Sequence, residues 1–421
     1  MDKSQQFAVQ AISQVLGGRN LAQTLEQLAW QHPQLSPQQR AAAQDISYGV
    51  LRYYGRLNAI LKQLITNRLD DETVRCLLLA GLYQLEYGKA SAHAVVDHAV
   101  TAAASMKKPW AKGLVNAVLR NFLRRREAVL AGIEQDEQAR YSYPQWWISK
   151  LKQQYPQQWE NLLQAGNAHP PLTLRVNRRR MSADDYLHKL ENAGFAARIL
   201  GRESIMMAQP VAVEKLPGFA AGEVSVQDYG AQFAAHLLDV RDNMRVLDAC
   251  CAPGGKTGHV LELADVAMTA IDSEEARLAR TRDNLHRLGL SARLITGDAG
   301  KPEGWWDGQP FDRILADVPC SASGIVRRHV DIKWLRRETD IANFVAQQSR
   351  LLHALWRVLA NGGKLLYVTC SIFIEENQRQ IDAFLTRQAD ARQLALDEPG
   401  NGQLLPCADH DGFFYALLQK I

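Results

Sequence analysis

Two thiols stand in settings that suggest chemistry. Cys320 lies in the stretch Asp317-Val318-Pro319-Cys320-Ser321-Ala322-Ser323-Gly324, and Cys370 lies between Thr369 and Ser371. Each follows a short apolar run, RILADV before the first and KLLYVTC up to the second, of the kind that forms a buried strand. If these strands run parallel, both thiols and the Asp317 carboxylate arrive at one edge of the sheet. Sulfur is both a strong nucleophile and a good leaving group, so covalent catalysis is the natural use of such a pair. Methylation of carbon 5 of cytosine needs this set. That carbon is a poor nucleophile until a thiolate adds to carbon 6 and makes it enamine-like. A carboxyl group at N3 stabilises the charge that develops on the ring. A base then removes the carbon-5 proton and the thiolate leaves. An arbitrary core cysteine is most often inert packing, but two of them after strand candidates, one in Asp-x-Pro-Cys, point away from that. Residue types alone leave open which thiol attacks. Cys250 and Cys251 read as packing residues, and Cys76 and Cys407 carry no signal.

A second dense signal is RVLDACCAPGGKT, residues 245–257. In an open parallel sheet the first strand-to-helix turn needs glycine so that backbone can approach a ligand, and Gly254 and Gly255 sit at that turn. A triphosphate-binding loop would need glycine where Cys250 stands, and the G-x-G-x-x-G dinucleotide fingerprint is absent. What remains is a series of strand-end acids: Asp248, then Asp272, placed to accept ribose hydroxyls, then Asp298 in TGDA, within reach of an adenine amino group. Each alone could be a helix cap; the series predicts S-adenosylmethionine as cofactor. The expected cofactor set is Ala249, Cys250, Cys251, Ala252, Pro253, Gly254, Gly255, Lys256, Asp272, Arg277, Asp298 and Asp317. No metal is expected, because no cysteine pair or cysteine–histidine group has zinc-ligand spacing.

These residues need elements to position them. In the last third, RVLDAC, AMTAID, ARLITGD, RILADV and KLLYVTC alternate with helical stretches, which predicts βαβ units and a parallel sheet over 233–421, closed by a strand in DGFFYALLQKI. Residues 1–140 show helical periodicity alone and read as an all-α module. The aromatic YSYPQWW marks a change of character, and 141–232 reads as a small α+β domain containing LTLRVN, SADDYLHKLENAG and EVSVQD. With 47% hydrophobic and 22% charged residues the chain has the balance of a soluble globular protein, not a disordered or membrane one. Its first residues, MDKSQQFAVQAISQVL, lack the apolar region of a secretory signal, so a cytoplasmic address with reduced cysteines is expected. A net charge of +4 permits a nucleic-acid partner. Lys112, Arg120, Arg124, Arg125 and Arg126 form one basic cluster and Arg178 and Arg179 a second, while Arg327, Arg328, Arg336 and Arg337 flank the thiol loop; such clusters contact phosphates or simply solvate a face.

VLDACCAPGGKT, the D-x-P-C-S-x-S-G stretch at 317–324 and T-C-S at 369–371 resemble, in order and spacing, the motifs of the RNA cytosine-C5 methyltransferase family. The resemblance implies a seven-stranded class I methyltransferase fold. It implies that Asp272, Asp298 and Asp317 line the cofactor or target base, that Cys370 is the nucleophile and that Cys320 helps release product. In DNA cytosine methyltransferases the Pro-Cys thiol attacks instead. Cys251 departs from the family's usual alanine. SAHAVVDHAV (91–100) and AKGLVNAVLRNFLRRR (111–126) resemble the helical RNA-binding fold of NusB. Taken together, over essentially the full length, the resemblance implies a monomer acting on small-subunit (16S) ribosomal RNA. Two competing readings are an amino-group methyltransferase, which needs no thiol and carries an aromatic residue where Cys320 stands, and a non-catalytic RNA-binding or assembly factor, which would have lost acids or thiols.

Overall fold

The computed structural model describes residues 2–66, 69–399 and 401–421. They form two compact units, Met1–Ala168 with Val326–Glu338, and His169–Ile325 with Thr339–Ile421.

The first unit is helical. Asn20, Ser36, Asp71 and Ser91 each accept a backbone N–H at the start of a helix, which fixes where Leu21–Gln31, Pro37–Arg52, Glu72–Tyr87 and Ala92–Ser105 begin. Glu72–Tyr87 is buried at Val74 and continuously from Cys76 to Gln84. It is apolar on all sides because five helices surround it: Asp2–Leu16, Pro37–Arg52, Tyr54–Leu64, Ala92–Ser105 and Lys112–Ile133. Helices Gln145–Gln154 and Trp159–Asn167 and the segment Val326–Glu338 belong to the same compact unit. Lys333 is the reason the segment docks. Its buried Nζ donates to the carbonyls of Arg52 (2.8 Å) and Ser142 (2.9 Å) and to Asn167 Oδ1 (2.7 Å). Nearby, Asp331 accepts from the Leu21 N–H and Trp334 donates to the Leu51 carbonyl.

The second unit holds two sheets. Strands β1 (Thr173–Val176), β2 (Ala197–Gly201), β3 (Ser204–Met207) and β4 (Val224–Val226) form an antiparallel sheet in the order β2-β3-β1-β4. Helix Ala183–Asn192, started by a capping box between Ser182 and Asp185, packs on it. The larger sheet contains β5 (Arg245–Asp248), β6 (Ala267–Asp272), β7 (Arg293–Thr296), β8 (Phe311–Asp317), β9 (Leu359–Thr369), β10 (Ala391–Leu394), β11 (Gln403–Leu404) and β12 (Phe413–Lys420). Its order is β10-β12-β9-β8-β5-β6-β7, with β5 to β9 mutually parallel and β12 antiparallel to β9. Val246, Leu247, Ile314, Leu315, Leu365 and Leu366 are all fully buried, as central parallel strands covered on both faces must be. Strands β10 and β11 are absent from the sequence reading: ARQL and QL are short and half polar, and carry too few apolar residues to mark a strand. Arg175 of β1 joins the two sheets. It is fully buried, bonds Glu262 through Nε (2.9 Å) and Nη2 (2.7 Å), and donates from Nη1 to the Gly255 carbonyl at 2.8 Å.

Candidate active site

The parallel register of β8 and β9 sets Asp317 opposite Val368, and the Val318 N–H continues the ladder to the Val368 carbonyl at 3.0 Å. Both chains therefore leave the sheet at the same edge, where the Gly324 N–H meets the Cys370 carbonyl at 2.8 Å. Cys320 and Cys370 face each other there, Sγ to Sγ, at 3.4 Å. The hydrogen bond with Cys370, and then burial, hold the Cys320 thiol well above its ordinary pKa, so at neutral pH it stays protonated.

A buried carboxylate fastens the two thiol-bearing loops. Glu376 Oε1 accepts from the Ser321 N–H (2.8 Å) and Gln348 Nε2 (3.1 Å), while Oε2 accepts from the hydroxyls of Ser321 (2.5 Å) and Ser371 (2.6 Å). Ser323 completes the lattice, bonding Ser371 Oγ at 2.9 Å and accepting from the Ile372 N–H at 2.9 Å. Buried polar groups persist where their bonds are satisfied together, and here the satisfied set includes the residue after each cysteine. Sequence reasoning missed Glu376, Gln348 and these serines. The serine following both thiols was the available signal.

Beside the thiols, Lys256 Nζ donates to Asp317 Oδ2 at 2.6 Å. Burial alone would lower this lysine's pKa, but the Asp317 charge and hydrogen bond outweigh it and raise the value.

The glycine loop lies along the same edge. The Ala249 N–H bonds the Leu315 carbonyl and the Cys251 N–H the Ile271 carbonyl, both at 2.9 Å, which suspends the loop between β8 and β6. Cys250 and Cys251 pack into the core, and burial drives both thiols well above the ordinary range. Gly254 has φ +89°, and a Cβ there would stand 2.8 Å from Thr281 Cγ2, so the close approach of the loop to helix Glu275–Leu288 requires glycine. Asp248 is buried and accepts from the Thr257 hydroxyl at 2.7 Å; burial pushes its pKa up to about 7. Asp272 accepts the Ala252 N–H on one oxygen (3.2 Å) and the Glu274 N–H on the other (3.1 Å), with Arg277 Nη1 at 3.5 Å. Arg277 also donates to the Ala252 carbonyl at 3.1 Å. Asp298 accepts from the Gly300 N–H and from Arg350, each at 2.9 Å. Burial opposes, but the Arg350 bond and its companions hold the Asp298 carboxyl below its ordinary pKa. Arg350 was not read from the sequence.

The basic residues are placed unequally. Lys112, Arg120, Arg124, Arg125, Arg126, Arg178 and Arg179 are exposed, and Arg125 marks a kink in the helix Lys112–Ile133. Arg126 is paired with Glu86 at 3.0 Å and Arg179 with Asp265 at 2.7 Å. Arg327 corrects the sequence reading: it is 2% exposed, with its carbonyl accepting from Arg52 Nη2 at 3.1 Å. It is packed as part of the segment that docks through Lys333, and is not a solvent-facing phosphate contact.

The sheet order, the glycine turn against a helix, the acid ending β6 and the acid two residues beyond β7 define a class I methyltransferase, dependent on S-adenosylmethionine. The glycine cradle and the carboxylates at successive strand ends fit a nucleoside bearing ribose hydroxyls and an adenine amino group. Residues 235–419 match the family described as 16S rRNA methyltransferase RsmB/F, residues 143–214 its ferredoxin-like domain and residues 2–124 the NusB family. Ribosomal RNA small subunit methyltransferase B of Pseudomonas putida is 47% identical over 427 residues, covering 98% of this chain and 98% of that protein. The same-named protein of Pseudomonas syringae pv. tomato is 46% identical over 432 residues, covering 98% and 96%. The crystal structure of PH0851 shares the fold, with a TM-score of 0.83 and 24% identity over 100% of this chain and 99% of that one. The chain belongs to the 16S rRNA methyltransferase RsmB/F family. Among the described residues no helix is long and apolar enough to cross a membrane.

Proposed function

We propose that the protein methylates carbon 5 of a cytosine in small-subunit ribosomal RNA through a covalent adduct between Cys370 and carbon 6 of the base. The observation that carries this reading is the 3.4 Å approach of Cys320 and Cys370 beside the Lys256–Asp317 pair. Cys370 Sγ adds to carbon 6 as its thiolate. The Lys256–Asp317 pair faces N3 and holds the proton that the ring takes up as it becomes electron-rich. When bound, S-adenosylmethionine supplies the electrophilic methyl group. Gly254 and Gly255 would hold it at the loop, Asp272 at the ribose and Asp298 at the adenine. In the final elimination a base takes the carbon-5 proton, the freed electron pair restores the C5–C6 double bond and expels Cys370 Sγ, and Cys320, kept as a thiol by its buried partner bond, gives its proton to the leaving sulfur. The exposed arginines of the helical unit and of residues 178–179 supply phosphate contacts.

The test is a denaturing gel with labelled substrate RNA and S-adenosylmethionine. Cys370→Ala gives no methylation and no retarded band. Cys320→Ala allows attack and methyl transfer, slows release, and accumulates protein-linked RNA. The opposite pattern would make the Pro-Cys thiol the nucleophile. Bisulfite sequencing of ribosomal RNA from cells with and without the gene identifies the cytosine.

A further inference from the structure

Glu203, His236 and His259 come together where the reaction above has no use for them. Glu203 lies in the turn between β2 and β3, His236 in the last turn of Tyr229–Leu237, and His259 in the helix Gly255–Leu263 that follows the glycine loop. Glu203 Oε1 meets His236 Nε2 at 2.6 Å and His259 Nε2 at 2.5 Å. One ligand atom from each residue thus lies within 4.8 Å of the others. The imidazole rings stand nearly perpendicular, 85° apart with centroids at 5.2 Å, so their nitrogens converge without stacking. Glu203 and His259 are buried and His236 is half-buried. A pocket of about 30 Å³ adjoins the cluster, lined in part by Tyr229 and Gln232, and that is room for a water.

We propose that this cluster is a binding site for a divalent first-row transition ion, zinc foremost, with Glu203 Oε1, His236 Nε2 and His259 Nε2 as protein ligands and a water from the adjoining pocket as the fourth. Two imidazoles and one carboxylate around an open position are a recurrent zinc ligand set. Arg175, a cation close enough to act on His259, is committed to Glu262 through two bonds of 2.9 and 2.7 Å, so the Glu203 charge remains for the ion. Bonds of about 2.0 Å in a tetrahedron separate ligands by roughly 3.3 Å, so entry requires Glu203 to withdraw from each imidazole by less than about 1 Å. Glu203 is suited to that, in a turn next to a register shift between Ile199 and Gly201. His259 Nδ1 is buried with no hydrogen-bond partner. An outer-shell acceptor typically strengthens a metal-binding histidine by about 10- to 100-fold, so binding weaker by that factor than at a site with such an acceptor is expected here.

The experiment uses the full-length protein freed of metal with a chelator. It is titrated with Zn²⁺ by calorimetry and with Co²⁺ by visible absorption. One equivalent of each should bind, the Co²⁺ spectrum should lack a thiolate charge-transfer band, and Zn²⁺ should raise the melting temperature. His236→Gln, at a half-buried position, should weaken Zn²⁺ by about tenfold or more and abolish the thermal shift. Failure to bind one equivalent, a thiolate band, or unchanged affinity in His236→Gln overturns the proposal and leaves the cluster a hydrogen-bonded carboxylate. Should His236→Gln fail to fold, the stoichiometry and the Co²⁺ spectrum of the wild-type protein decide.

Discussion

Two lysines drawn in from solvent, one in each unit, have pKa values shifted in opposite directions. Lys256 in the second unit reaches a carboxylate, Asp317, at 2.6 Å, and its pKa rises although burial opposes it. Lys333 in the first unit reaches three neutral oxygens and lies 4.3 Å from the Tyr143 ring centroid; burial, and then the Arg52 charge, push its pKa well down. Burial is common to both, and the nature of the partner decides the outcome. The first lysine is held as a cation beside Asp317 at the edge that carries the two thiols. The second ties three stretches of chain together, through the carbonyls of Arg52 and Ser142 and the side chain of Asn167, and has no reacting group beside it.

The sharpest break would come from Asp317→Asn. It leaves Lys256 without its anion and N3 of the base without its partner, so methylation in single-turnover assays should fall by about 10²- to 10⁴-fold. Lys333→Met should leave the same rate within about threefold at a temperature where both proteins are folded. Equal losses in the two variants would show that the lysines do not differ in role.

Within the second unit the comparison narrows to the strand-end acids. Asp272 bridges two loop amides near the expected ribose, and Asp272→Ala should weaken S-adenosylmethionine by about 1–3 kcal/mol, the range for losing hydrogen bonds to a charged group. Calorimetry giving equal affinity for both proteins removes the ribose assignment.

The pH dependence of stability separates the lysines further. Lys333 has a lowered pKa when folded and an ordinary one, about 10.4, when unfolded. The unfolded chain therefore binds more protons between those values. Stability should rise with pH across that window, be fully present above about 10.4, and be lost as pH falls through the folded value. The slope reaches at most about 1.4 kcal/mol per pH unit. Urea unfolding at pH 7, 8.5 and 10 should show the rise in the wild-type protein and a flatter line in Lys333→Met; parallel lines would mean that Lys333 stays charged.

The smallest effect concerns the exposed basic helix. Replacing Arg120, Arg124 and Arg125 by glutamine should reduce the salt slope of RNA binding by about 2, because fewer counterions are released. An unchanged slope would place the RNA elsewhere.

The elements of the site were legible because local patterns encode them. β5, β6 and β8 are short apolar runs ending in an acid, Cys370 directly follows β9, and the glycine turn needs no distant partner to be recognised. Parallel pairing follows from the alternation of strand and helix, so the meeting of Asp317, Cys320 and Cys370 could be anticipated. The NusB-like helices showed their period as well, but the extent of that unit did not, since Lys333 contacts residues 166 to 281 positions away.

Sequence by itself determined the order of strands and helices, the glycine loop and the residues that line one sheet edge, all of which depend on neighbours a few positions apart. Tertiary structure alone decided which polar side chains were buried and with what partner. Glu376 meets Ser321 across 55 positions, Arg175 meets Glu262 across 87, and His259 meets Glu203 across 56. Burial of a charge is tolerable only when its bonds are satisfied, and the groups that satisfy these bonds become neighbours only when the chain folds.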